Sequence, residues 1–179
     1  MQGAAPALAL ENITVTFVAE GAARFTAIRD ATLVVRPGEF VSVVGPTGCG
    51  KSTLLNVAAG LLAPSAGNVR VFGETLAGLN RDSGYLFQTE ALLPWRTALD
   101  NVTVGLEFRG VARQEAVCQA ESWLQRVGLR GHGHRYPHQL SGGMRKRVAL
   151  AQTLILDPQI ILMDEPFSAL DIQTRQLME

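Results

Sequence analysis

Apolar and β-branched residues fall in short bursts along the first third of the chain. Residues 9–18 and 25–35 are two such bursts, set off by Gly21 and by Pro37-Gly38, and they predict an N-terminal layer of strands. Phe40 to Val44 (FVSVV) is continuously apolar up to Gly45, the pattern of a buried strand. From Ser52 to Leu62 the spacing becomes helical and stops before Pro64. Val69 to Phe72 and Gly84 to Phe87 predict further strands. Between Arg113 and Val127 the residues Val117, Ala120, Leu124 and Val127 share one side of a helix, with Gly128 as its stop. Ser141 to Leu156 predicts another helix. Gln159 to Met163 (QIILM), after Asp157-Pro158, reads as a fully apolar strand. Strands alternating with helices imply an α/β fold around a mostly parallel sheet, with a strand layer in front.

Composition narrows the class without changing that picture. With 47% hydrophobic and 18% charged residues, a chain of 179 residues has the material for one domain with a sizeable core. Sixteen basic residues balance sixteen acidic ones, so no bulk field favours nucleic acid or an anionic membrane surface. Cys49 and Cys118 make no disulfide framework, which places the chain in a reducing compartment. Residues 1–10 lack the basic start of a secretory signal. The longest uncharged run, between Lys51 and Arg70, is interrupted by Asn56, Gly60, Pro64 and Asn68 and is no membrane span. The expectation is a soluble cytoplasmic protein that reaches a membrane only through a partner.

Three motifs carry chemistry. Gly45 to Thr53 (GPTGCGKST) satisfies G-x-x-x-x-G-K-[ST] between a predicted strand and a predicted helix. Glycines let successive backbone N–H groups curl around a phosphate, and the helix start adds partial positive charge. Lys51 has the reach for the β- and γ-phosphates, and the Ser52 hydroxyl is a ligand for Mg²⁺. The strand ending in Asp164-Glu165 delivers two acids to the edge of the sheet, one to hold Mg²⁺ and one to orient or deprotonate water. Leu140 to Met144 (LSGGM) opens a helix with a serine and two glycines, a second anion nest. Two such nests in one chain point to a head-to-tail pair sharing two nucleotides. By contrast, His132, His134 and His138 lack acids or thiols and read as a solvated loop. Arg145, Lys146 and Arg147 read as a solvated helix face, and Cys49 as an inert thiol.

These motifs, with the glutamine of LFQTEALLPW and the later SALD, stand in the order found in ATP-binding-cassette (ABC) ATPases, and the chain resembles that family from Gly45 to Asp171. The stretch FQTEALLPWRTALDNVTVGLEFRG is most similar to the nitrate, sulfonate and taurine importers. The resemblance implies a P-loop, RecA-like core with an N-terminal antiparallel β-layer. Residues 89–135 would form an inserted helical subdomain that docks on a membrane subunit, within a single nucleotide-binding domain. It further implies ATP bound by Gly45, Pro46, Thr47, Gly48, Cys49, Gly50, Lys51, Ser52 and Thr53, with adenine stacked on Phe17 or its rival Phe25. Mg²⁺ would be held by Ser52, Gln88 and Asp164, and catalysis carried by Glu165 with Gln88 and Lys51. Ser141, Gly142 and Gly143 would close on the partner copy's γ-phosphate, and Asp171 would cross the dimer interface. The implied partners are a second copy, two transmembrane permease subunits and an extracytoplasmic solute-binding protein, at the inner face of the membrane and without nucleic acid.

One feature departs from the family. Its switch histidine follows the SALD segment on a later strand, whereas the last histidine of these 179 residues is His138. The reading is therefore of a cassette lacking the C-terminal part of its core, less stable than a complete one and poor at hydrolysis. The alternatives are a nucleotide-binding remnant without turnover and a soluble ABC protein outside transport.

Overall fold

The structure is a computed structural model and describes residues 5–18 and 24–165. The chain forms two compact units, Met1–Ser83 and Gly84–Glu179. In the first, β1 (Leu8–Val18) pairs antiparallel with β2 (Arg24–Val35) on one edge and with β3 (Ala66–Val71) on the other. A short β4 (Glu74–Thr75) extends the sheet beyond β3, giving the order β2-β1-β3-β4. This is the strand layer that the N-terminal bursts predict, and it is antiparallel as the family resemblance implies.

Burial along β1 changes pattern partway. Leu8, Ala9 and Leu10 are all buried, and beyond them Ile13 and Val15 alternate with less buried neighbours. A bulge of one extra residue shifts which alternate positions of a strand face the core. The pairing with β2 supplies it, stepping from Leu10↔Leu33 to Ile13↔Ala31. Asn12 sits at the bulge with φ 53, a left-handed conformation that asparagine tolerates better than most residues. Its backbone N–H donates to Thr32 Oγ1 at 3.0 Å and its side-chain amide to Asp30 Oδ1 at 2.9 Å.

Helix α1 (Lys51–Ala58) packs against β1 and β2, burying Val57 and Ala58. It ends earlier than its sequence predicts, because Gly60 takes φ 70 and the N–H groups of Gly60 and Leu61 turn back onto the carbonyls of Val57 and Asn56. The run Phe40–Val44 corrects the sequence reading. It carries no ladder, and Phe40 and Val44 are each 88% exposed. Apolar character alone does not make a strand: the backbone groups need a neighbour, and no described strand pairs with this run.

In the second unit, apart from the first residue of β5, the strands β5 (Ser83–Leu86) and β6 (Ile160–Met163) form a two-stranded sheet. Between them in sequence lie α2 (Ala98–Phe108), α3 (Arg113–Arg126) and α4 (Gly142–Leu154), packed on one apolar core. On α3 the buried face is Ala116, Ala120 and Leu124, one position off the expected Val117, and Val127 caps the helix. Helix α2 contributes Ala98, Val102 and Leu106 at a spacing of four. The loop entering α2 is pinned from within by Asn101, which is fully buried. Its Oδ1 accepts the Leu93 N–H at 2.7 Å, and its Nδ2 lies 2.9–3.1 Å from the carbonyls of Leu93, Arg96 and Thr97.

Candidate functional site

The glycine-rich loop is built to expose donors. Gly48 and Gly50 have φ of 82 and 99, a region where L side chains are strained. At Gly50 a Cβ would also lie 2.8 Å from the Ala27 carbonyl oxygen on β2, so only glycine lets the loop pass this close to the sheet. Gly50 is the N-cap of α1 and, having no side chain, leaves the first N–H groups of that helix uncapped. The Lys51 ammonium stays at the loop, donating to the carbonyls of Gly45 at 2.9 Å and Pro46 at 3.0 Å. Uncapped helix amides, glycine-only backbone and one fixed cation are a donor set that fits a phosphate. Ser52 follows Lys51 in the first turn of α1. Cys49 is exposed.

Both aromatic candidates for adenine lie in the same unit. Phe17 on β1 stands directly opposite Phe25 on β2, with 43% and 62% of their surfaces exposed. The ladder therefore makes them neighbours rather than alternatives in different places.

In the second unit the ends of β5 and β6 meet. The Asp164 N–H donates to the Leu86 carbonyl at 2.9 Å, and just beyond it Gln88 Nε2 donates to Glu165 Oε2 at 2.8 Å. Two residues read separately from the sequence are thus in direct contact. Asp164 is 8% exposed, whereas Glu165 is exposed with φ 46. A left-handed glutamate costs roughly 1–2 kcal/mol and marks a position held by its surroundings. Tyr85 on β5 was not singled out by its sequence context. Burial, and secondarily the charge of Asp164, push its hydroxyl up to about 12.

The LSGGM segment forms the start of α4. Ser141 is the N-cap, and its Oγ accepts the Met144 N–H at 3.2 Å. Gly142 and Gly143 follow in the first turn, and beside Gly143 a Cβ would meet nothing within 4 Å. Asp171 lies outside the described residues. In the loop before α4, Tyr136 stacks on His138. Among the described residues no helix is long and apolar enough to cross a membrane.

A phosphate loop on an antiparallel β-layer, with an Asp-Glu strand end and a serine-capped glycine helix, defines the class of P-loop nucleotide-binding proteins. Within it the chain belongs to the ABC transporter family, whose pattern it matches over residues 28–168. It is 48% identical over 172 residues to an uncharacterized ABC transporter ATP-binding protein of Methanocaldococcus jannaschii, covering 96% of this chain and 64% of that protein. It is 45% identical to the taurine import ATP-binding protein TauB of Pseudomonas aeruginosa, covering 96% of this chain and 65% of TauB. The chain thus spans just under two thirds of the length of these curated relatives. Among solved structures it resembles an ATP-binding cassette dimer in a post-hydrolysis state bound to ADP and Pi. That match has a TM-score of 0.84 and 36% identity, and covers 94% of this chain and 78% of that one.

Proposed function

We propose that the chain is the ATP-binding and ATP-hydrolysing part of an importer, a single nucleotide-binding domain in which residues 89–135 are the helical subdomain. The observation that carries this is the glycine loop at α1, with its uncapped helix start and the ammonium of Lys51 held at the loop carbonyls. The likeness to TauB supports taurine and related sulfonates as the class of cargo. The partners are a second copy, two membrane permease subunits and an extracytoplasmic solute-binding protein, at the inner face of the membrane.

In this reading the loop residues 45–53 bind the phosphates through backbone N–H groups and Lys51, and Phe17 or Phe25 stacks on the base. Ser52, Gln88 and Asp164 hold Mg²⁺, which when bound supplies positive charge to the phosphate oxygens. Glu165 orients the attacking water and accepts its proton, and the Gln88 amide on Oε2 leaves Oε1 for that task. Ser141, Gly142 and Gly143 serve the γ-phosphate bound by the second copy, and Asp171 its interface.

The test is Glu165→Gln in the protein purified with its membrane subunits. ATP turnover should fall by about 10²–10⁴-fold while ATP binding persists. Turnover at the parent rate would remove Glu165 from its role.

A further inference from the structure

The start of α4 is tied to the segment that carries Gln88. Arg145, one turn into α4, spreads its guanidinium over the serine–glycine turn. Nη1 donates to the Leu140 carbonyl at 2.9 Å, and Nη2 lies 3.7 Å from where a Cβ on Gly142 would stand. The third nitrogen, Nε, faces Glu90 Oε2 at 3.8 Å. Glu90 is two residues beyond Gln88, whose amide holds Glu165. The Glu90 side chain is only 17% exposed against 37% for Arg145, so the charge contact is partly shielded from water although too long for a hydrogen bond.

Nothing in the sequence marks this pair. Glu90 falls within residues 89–135, read only as a helical subdomain, and Arg145 starts a basic run read as a solvated helix face. In the structure Arg145 turns back toward the turn that precedes its own helix and meets a carboxylate 55 positions earlier in the chain.

We propose that Glu90 and Arg145 are positioning residues forming a strut between the Gln88 segment and the Ser141–Gly143 turn. A displacement of Gln88 at one nucleotide is then delivered to the turn that serves the nucleotide bound by the second copy. The strut rests on the reading of the turn as acting across a pair of chains. Its physical existence does not, because all four elements, Glu165, Gln88, Glu90–Arg145 and Leu140, belong to one compact unit. A partly exposed ion pair adds little to overall stability, which suits a part that must move without unfolding.

Two measurements test it. Hydrogen exchange on the full 179-residue chain without nucleotide compares the parent with Glu90→Gln. Amides of residues 141–145 should exchange about threefold faster, although the substitution lies in a different segment. Unchanged exchange there overturns the strut whatever the chain's activity. In the protein purified with its membrane subunits, Glu90→Arg should lower kcat about tenfold with little change in KM for ATP. The charge-swapped pair Glu90→Arg with Arg145→Glu should recover most of that loss, which a merely structural role would not do. Loss without recovery by the swap also overturns the proposal. A parent complex with no ATP turnover would instead overturn the ATPase reading, and the exchange result would still decide the strut.

Discussion

Two glycine-rich helix starts in this chain solve the same problem in opposite ways. At α1 the cap is Gly50 with φ 99, preceded by Gly48 with φ 82, and the cap residue has no side chain to bond the first amides. At α4 the cap is Ser141 in extended geometry, φ −66 and ψ 162, and its own hydroxyl takes the Met144 N–H. Every helix start has N–H groups without helical partners and a partial positive charge. Helix α1 has no side-chain cap and uses glycine for a backbone path that no other residue follows cheaply. Helix α4 satisfies one of them with its own cap and uses glycine for lack of bulk, since a Cβ at Gly143 would meet nothing within 4 Å. The first end relies on backbone alone; the second supplies one acceptor of its own. That is the division expected between a turn that retains nucleotide and one that engages it only when two chains close.

The sharpest way to break this contrast is Gly50→Ala. The new Cβ meets the Ala27 carbonyl at 2.8 Å, and the backbone keeps a left-handed φ. Strain and overpacking together should cost roughly 2–5 kcal/mol and abolish nucleotide binding. Urea unfolding and nucleotide titration of the same sample check both. A variant of parent stability would mean the loop does not follow this path.

Ser141→Ala asks whether the α4 cap is as self-sufficient as it looks. Losing one N-cap hydroxyl should cost about 1 kcal/mol, read as faster exchange at Met144 and a lower urea midpoint, with ATP binding at the α1 loop unchanged. No loss of stability would mean that the 3.2 Å contact is only geometric.

How much of this was readable beforehand differs by level. The N-terminal strand layer was legible because its strands carry short, punctuated apolar bursts. The bulge at Asn12 was not, because an inserted residue shows only once two strands are in register. Phe40–Val44 misled for the related reason that apolar sequence reports a wish for burial, not a hydrogen-bonding neighbour. Helix α2 had a usable signal in Thr97 followed by Ala98, Val102 and Leu106, hidden by the polar residues around it. Lys51, Asp164 and Ser141 could be named because motif spacing fixes local backbone. The Gln88–Glu165 and Glu90–Arg145 contacts could not, since each joins segments that only β5, β6 and the helical core bring together.

The gentlest test uses a third helix start. At α2 the cap is Thr97, whose Oγ1 accepts the Asp100 N–H at 3.1 Å and donates to Asp100 Oδ2 at 2.6 Å. Thr97, and after it Arg113, hold the Asp100 carboxyl below its usual range; Arg96, then Thr103, do the same for Glu107. A carboxylate whose folded pKa is depressed stabilises the fold fully above its unfolded pKa, and that stabilisation is lost as pH falls through the folded value. Acid should therefore loosen the α2 start while sparing the start of α1, which has a glycine cap and no acidic residue in its first turn. Protection of the first-turn amides of α2 should fall as the pH drops through the ordinary carboxylate range and on below it, with those of α1 as the internal control. Thr97→Val should weaken that pH dependence. If both starts open together, the acid response is global, and the separation between charged and uncharged caps is lost.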